Sequence, residues 1–150
     1  MAVVQRVLRA EVRVAGEVVG RTGPGMVVLL GVLVGDEGAH ADRLAERVGG
    51  LRFFADAAGR MNLAAAEVGA GALVVSQFTL AADGRRGRRP SFDRAMAPAE
   101  AEVLYRRFCA ALAGFGIPVE TGRFGAAMEV ELVGDGPVTF VLEEPAPPRG

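Results

Sequence analysis

The sequence has few of the residues on which enzymes usually build their chemistry. Its 150 residues include no lysine, no tryptophan, one cysteine and one histidine. Cys109 therefore cannot form an internal disulfide, and together with His40 it cannot supply the four ligands of a structural zinc site. We expect no metal and no cofactor, and a single cysteine fits a reducing compartment.

An excess of one charge and a long apolar run are also missing. The chain carries 17 basic and 18 acidic side chains, for a formal net charge of -1. Contact with nucleic acid must then rest on a local patch, because no overall field attracts it. The longest apolar run, 26–34, falls short of the roughly 20 residues of a membrane helix, and Arg6 and Arg9 interrupt any signal-peptide core. We expect a cytoplasmic protein with no membrane contact.

The chain does have a large supply of core residues, since 51% of it is hydrophobic. At this length one core can form without disulfide or metal support. The predicted elements are two short strands within 2–20 with a turn at 15–17, a doubly buried strand at 26–34, a helix from Asp36 to Gly49-Gly50, an extended segment at 51–54, a strand at 72–75, a helix from Pro98 to about 115, and strands at 126–133 and 138–142. No linker separates two cores. Residues 1–142 are thus predicted to form one α/β domain, a mixed sheet with two main helices, and the proline-rich residues 143–150 a disordered tail.

The first candidate site is Ser76-Gln77-Phe78-Thr79, at the end of the predicted strand 72–75. Rigid scaffolds often present functional groups where a strand ends. The alternative is that Ser76 and Thr79 only bond local backbone as the strand becomes a turn. A Ser-His-Asp triad is disfavoured, because the sole histidine, His40, falls in the first predicted helix, where a surface role is expected.

The second candidate is Gly-Asp-Gly-Pro-Val-Thr at 134–139. Asp-Gly between two alternating strands predicts a hairpin turn, with Pro137 opening the outgoing strand. The Gly136-Pro137 bond leaves another interpretation open, because a cis X-Pro bond is uncommon and usually serves a specific structural purpose.

The third candidate is a cluster of four arginines in a predicted loop, Arg85, Arg86, Arg88 and Arg89. No acidic residue lies within the run to pair with them. Guanidinium groups can bond phosphate oxygens bidentately, which favours contact with the phosphates of a ligand. The alternative is a solvated surface with no ligand.

Several separate strings make the sequence resemble the D-aminoacyl-tRNA deacylase family. They are SQFTL at 76–80, GRRPSF at 87–92, PVETGRFGA at 118–126, DGPVTF at 135–140, AVVQRV at 2–7 and MNL at 61–63. The resemblance runs in register to about Leu142. It implies an enzyme that hydrolyses the ester joining a D-amino acid, or glycine, to the terminal ribose of tRNA. Combined with the residue pattern, it predicts a compact α/β domain with a mixed, largely antiparallel, barrel-like sheet that forms a homodimer.

The same resemblance implies roles for individual residues. Ser76-Gln77-Phe78-Thr79 would line the pocket, with backbone amides facing the ester and the ribose 2'-hydroxyl assisting the attack. Gly136-Pro137 would be cis, enter the partner subunit's site and exclude L side chains, with Arg6 and Thr139 supporting it. Gly134 departs from the family pattern, which usually has asparagine there, and this puts the rigidity of the loop in question.

Two other classes of function stay open on the sequence. A non-catalytic tRNA-binding module would use the arginine cluster without hydrolysing anything. A small-molecule esterase would use Ser76 or Thr79 as nucleophile, although no histidine base accompanies them. The expected partners are D-aminoacyl-tRNA and glycyl-tRNA as substrates and a second copy of the chain, with no DNA.

Overall fold

A computed structural model describes residues 1–145 of the chain. Its strands are β1 (Ala2–Val14), β2 (Glu17–Thr22), β3 (Gly25–Leu30), β4 (Phe54–Ala55), β5 (Met61–Leu63), β6 (Gly71–Ser76), β7 (Val119–Thr121) and β8 (Glu129–Leu142), and its helices are α1 (Gly38–Gly50) and α2 (Pro98–Ala113). Two short 3₁₀ turns lie at Ala65–Val68 and Phe78–Ala81.

The main sheet is built around β1. Antiparallel β8 runs along one edge of β1, while β3 and then β2 pair along the other, also antiparallel. Strands β3, β6 and β7 continue the sheet in parallel. Strand β2 then packs back against β7 at Gly20, where any side chain would collide with the carbonyl oxygen of Thr121. The result is a nearly closed, barrel-like mixed sheet with two helices, so the predicted fold class is confirmed.

A bulge in β1 decides which face its side chains meet. The register with β8 shifts between Val7 and Arg9. Before the shift, Val4 packs toward the helices, and after it Ala10 and Val12 face the interior of the curled sheet. One extra residue moves every later side chain to the opposite face, which is how a single long strand serves two cores.

Strand β3 is buried on both faces, as its valine and leucine content predicted. Met26 and Val28 face the helices and Val27 faces the sheet interior. The strand ends at Leu30 rather than Val34, because the chain leaves the sheet after pairing Gly31 with Met1.

Helix α1 begins two residues later than the sequence suggested. The carboxylate of Asp36 accepts a hydrogen bond from the Leu33 N–H at 2.9 Å and so closes the preceding loop instead. The N–H of Glu37 donates to Nδ1 of His40, also at 2.9 Å, which gives the only histidine a capping role. Helix α2 begins at Pro98, as predicted, and an ion pair of 2.6 Å between Arg107 and Asp42 joins the two helices.

The predicted hairpin at 134–137 is wrong. Strand β8 continues through this segment, and its two halves pair with the same partner, β1. Residues 135–138 stand opposite Arg6 alone, so they form a wide bulge instead of reversing the chain. The local Asp-Gly signal was overridden because β1 is long enough to pair on both sides of the bulge. The strand at 126–133 accordingly begins only at Glu129, and β5 and β7 had not been predicted.

The predicted tail is described only in part. Glu144 accepts hydrogen bonds from Arg43 at 2.8 Å and from Arg47 at 3.1 Å on α1. Residues 146–150 lie outside the described part, so the prediction of a disordered tail stays a prediction. Within 1–145, neither helix is long and apolar enough to cross a membrane.

Candidate active site

A cleft of about 390 Å³ opens where β6 ends, between the 3₁₀ turn that follows it and the segment leading into β8. Its lining residues are Val32, Val75, Ser76, Gln77, Phe78, Pro98, Ala101, Phe124, Gly125, Ala126, Met128 and Val130. None of these side chains is ionisable. Chemistry in this cleft must therefore use hydroxyl, amide and backbone groups, or groups carried by the substrate.

The floor of the cleft is held by main-chain bonds. The N–H of Gln77 donates to the carbonyl of Leu30 on β3 at 2.8 Å, and its own carbonyl accepts from the N–H of Leu80 at 3.2 Å. This brings Ser76, Gln77 and Phe78 to the cleft wall. Thr79 does not line the cleft, and its hydroxyl accepts a hydrogen bond from the side-chain amide of Gln77.

Two backbone donors at the start of the 3₁₀ turn have no hydrogen-bond partner in the described chain. The first N–H groups of a helical turn have no acceptor within it. Here the N–H groups of Phe78 and Thr79 meet no protein acceptor within residues 1–145. Adjacent unpaired amides can stabilise negative charge that develops on a carbonyl oxygen.

Sequence reasoning missed the opposite wall, which Phe124, Met128 and Val130 form. Tyr105 on α2 supports it, with its ring 5.6 Å from that of Phe124 and its hydroxyl donating to the Val74 carbonyl at 2.8 Å. Burial raises the pKa of Tyr105 well above its ordinary value. The string at 118–126 was the available signal, but nothing in its residue types showed that it would face Ser76 across a cleft.

Gly136 and Pro137 are exposed at the bulge of β8, and the bond between them is cis. Arg6 holds the bulge from behind. Its Nη1 donates to the carbonyl of Phe53 at 2.6 Å, its Nε donates to the carbonyl of Asp135 at 3.2 Å, and the Asp135 carboxylate lies 3.1 Å from the same Nε. Gly136 has φ +133°, and a Cβ there would meet the backbone nitrogen of Val138 at 2.8 Å.

Thr139, predicted to support this unit, is exposed on β8 opposite Gln5. Gly134 is exposed as well, and a Cβ added to it would meet nothing within 4 Å. The position that departs from the family pattern therefore has open space at its Cβ position.

One chain does not bring the two predicted halves of the site together. Val130 lines the cleft, and Gly136 lies six residues further along the same strand. At about 3.3 Å per residue this is a separation of roughly 20 Å. Gly136-Pro137 therefore lies well away from the Val130 side of the cleft of its own chain, and it is not among the residues that line that cleft.

The arginine cluster flanks the cleft. Its loop is closed by pairing between Asp83 and Ser91, and the ring of Phe92 meets that of Phe78 edge-on at 5.3 Å. Arg85 forms an ion pair of 2.6 Å with Asp83, which lowers the pKa of that carboxyl. The sequence interpretation missed this pair because it looked for acids only within the run. Arg86, Arg88 and Arg89 are exposed, with no side-chain partner in the described chain.

The single histidine and the single cysteine, residue types that often act in catalysis, do not line the cleft. His40 caps α1 and does not line the cleft. Cys109 is half-buried on α2, and this burial raises the pKa of its thiol to about 11. Among residues 1–145, no three His, Cys, Asp or Glu side chains cluster as a metal site would require.

Comparison with known proteins gives this geometry a family. A profile of the family described as D-Tyr-tRNA(Tyr) deacylase matches residues 3–143. The chain belongs to this family. The match includes both the cleft and the bulge at Gly136, so the family and its fold are established for the part of the chain that carries them.

Individual relatives agree with the family match. A D-aminoacyl-tRNA deacylase of Symbiobacterium thermophilum is 61% identical over 142 residues, covering 95% of this chain and 94% of its own. One from Ruegeria pomeroyi is 56% identical, covering 95% and 98%. A solved structure named c-Myc DNA Unwinding Element Binding Protein is 38% identical, with a TM-score of 0.90 over 97% of this chain and 99% of its own.

Proposed function

We propose that the chain hydrolyses the ester bond of D-aminoacyl-tRNA and of mischarged glycyl-tRNA, releasing the amino acid and the tRNA. Membership of the deacylase family supports the substrate class. The observation that carries the proposal is the cleft itself. Its lining includes Phe78, whose N–H and that of the adjacent Thr79 have no acceptor in the described chain, and no ionisable side chain, which suits an ester that is already activated.

The chemistry needs little from the protein. The acylated ribose enters the cleft, and the N–H groups of Phe78 and Thr79 donate to the ester carbonyl as it becomes an oxyanion. The neighbouring 2'-hydroxyl of the ribose assists the attack of a water molecule on that carbonyl. Holding ester, hydroxyl and water together supplies the rate enhancement that a catalytic base would otherwise provide.

Selection between D- and L-aminoacyl esters depends on a second copy of the chain. In this proposal the protein is a homodimer, and Gly136-Pro137 of one copy enters the cleft of the other. Its carbonyls face the substrate's α-carbon, so an L side chain would collide with them while a D side chain points away. The exposure of this unit and its distance from its own cleft support the arrangement.

The arginine cluster binds the tRNA backbone. Arg86, Arg88 and Arg89 have no acidic partner in the described chain and lie on a loop whose Phe92 touches Phe78 at the cleft. Such a position suits phosphates beyond the terminal nucleotide. A local patch of this kind is what a chain of net charge -1 requires.

The test compares one tRNA charged with D-tyrosine and with L-tyrosine, alongside glycyl-tRNA, by following the loss of ester over time. We expect the D-tyrosyl and glycyl esters to be hydrolysed while the L-tyrosyl ester survives. Binding of tRNA without hydrolysis of any ester would instead favour the binding module. Turnover of simple esters that lack RNA, at comparable kcat/KM, would favour the esterase.

A further inference from the structure

A second cavity lies on the far side of the cleft wall. Its volume is about 420 Å³, and α2 and the segment after β7 enclose it. Its lining includes the charged side chains of Glu102, Arg106 and Arg123 and the polar side chains of Tyr105, Cys109 and Thr121. Phe124 lines both this cavity and the cleft, so the two spaces share this residue in their walls.

The charges in this cavity are unequal. Arg106 bonds the carboxylate of Glu102 at 2.7 Å, which occupies the only acid of the lining. Arg123 is exposed and has no acidic partner within residues 1–145. One guanidinium is therefore free for an anion, and it belongs to the residue directly before Phe124.

We propose that this cavity binds the phosphodiester on the 5' side of the terminal nucleoside, with Arg123 as its main ligand. The inference rests on the proposed function, which seats that nucleoside in the cleft. This phosphate is attached to the ribose of the bound nucleoside, so it must lie beside one of the walls of the cleft. Arg123 lies at the Phe124 wall, whereas the arginine cluster lies at the Phe78 wall and serves more distant phosphates.

Guanidinium is well suited to this ligand because it bonds phosphate oxygens through two parallel N–H groups. Thr121 also lines the cavity and carries a hydroxyl. Glu102 opposes binding, since its carboxylate repels the phosphate and engages Arg106. This cavity therefore contains one residue whose removal weakens binding and one whose neutralisation strengthens it.

The test uses two small D-tyrosyl esters, one of adenosine, which has no phosphate, and one of the dinucleotide cytidylyl-adenosine, which has one. Wild type is expected to show roughly tenfold higher kcat/KM on the dinucleotide, as one charge-assisted contact can provide. Arg123→Gln should remove that preference through KM and leave the adenosine ester unchanged. Arg60→Gln, which changes an exposed arginine of the β4–β5 hairpin, is the matched control and should keep it.

Glu102→Gln is expected to act in the opposite direction, lowering KM for the dinucleotide ester about two- to threefold. Equal effects of Arg123→Gln on both esters, or none on either, would overturn the proposal. Titration of the unacylated dinucleotide into wild type and Arg123→Gln, followed by NMR, reads the phosphate contact without catalysis. If no D-ester is hydrolysed, the proposed function is wrong. The phosphate site is then judged by the titration alone: weaker dinucleotide binding by Arg123→Gln supports it, and unchanged binding rejects it.

Discussion

Thr79 shows how little side-chain chemistry the cleft offers. Its hydroxyl already accepts a hydrogen bond from Gln77, and it does not line the cleft. Among residues 1–145 no histidine or carboxylate bonds this hydroxyl, and the sequence has no lysine. What this position contributes to the proposed reaction is its backbone N–H, which every substitution except proline preserves.

We therefore predict that Thr79→Ala keeps measurable deacylation, within about tenfold of wild type, because only a supporting hydrogen bond is lost. The measurement is the single-turnover rate of D-tyrosyl-tRNA hydrolysis. Covalent catalysis would be indicated instead if the variant were inactive and wild type accumulated a trapped acyl-enzyme.

Cys109 connects the structure to pH. Burial raises the pKa of its thiol to about 11 from an ordinary value of 9.0. As pH rises, the thiol loses its proton in the unfolded chain before it does so in the folded chain. Its contribution to the free energy of unfolding is therefore fully present below about pH 9 and is lost between about pH 9 and 11. The thiol is partly exposed, so we expect a loss of about 1 kcal/mol, less than a fully buried thiol would show.

Urea denaturation between pH 7.5 and 10.5 measures this loss. Cys109→Ala should reduce the decline above pH 9, while Tyr105, whose pKa is also raised by burial, continues to contribute above pH 10. An identical pH profile for the variant and wild type would show that the thiol is not shielded in the folded chain.

At the scale of elements, the structure shows that the four arginines of the loop at 85–89 are not equivalent. Arg85 is held by Asp83, so it has less to give a phosphate than its neighbours. Its partner, Asp83, lies two residues before the run. The contact becomes evident only in the structure, where pairing of Asp83 with Ser91 closes the loop.

Replacing both Arg86 and Arg88 with glutamate is predicted to weaken tRNA binding and to flatten its dependence on salt, for many tRNAs alike. Arg85→Gln should change the salt slope less. Fluorescence anisotropy of labelled tRNA at several salt concentrations gives the slope. A slope unchanged in the double variant would return the cluster to solvated surface.

The bulge of β8 marks the limit of prediction from local signals. Alternation identified the strands on either side of Gly134-Asp135-Gly136-Pro137, and Asp-Gly then favoured a hairpin. The true outcome depends on β1, a distant strand with enough length to pair with both halves. Likewise, the residue types of Phe124 and Met128 could not show that they would line the same cleft as Ser76, because that cleft forms only once β7 joins β6.

For the whole molecule, periodicity was sufficient for the class of fold. The doubly buried β3, the strand that presents Ser76 and the helix from Pro98 all follow from burial patterns that any such sheet must satisfy. Closure of the sheet at Gly20 was not predictable, because a glycine reports close approach but not its partner. The proposed division of the site between Ser76-Gln77-Phe78 of one copy and Gly136-Pro137 of another is implied by the family resemblance alone, and no local residue pattern predicts it.

The central claim is that a D-selective site needs two copies of the chain, and mixing two variants tests it directly. Gln77→Ala damages the cleft, and Gly136→Ala disturbs the bulge, where a Cβ would press on Val138. After unfolding and refolding together, half of randomly formed dimers are mixed, and each holds one complete site, about a quarter of the wild-type number. The measurements are the rates of D-tyrosyl-tRNA and L-tyrosyl-tRNA hydrolysis and their ratio. We predict that the refolded mixture is more D-selective than either variant refolded alone. Rates equal to the average of the two separate variants would contradict the shared site.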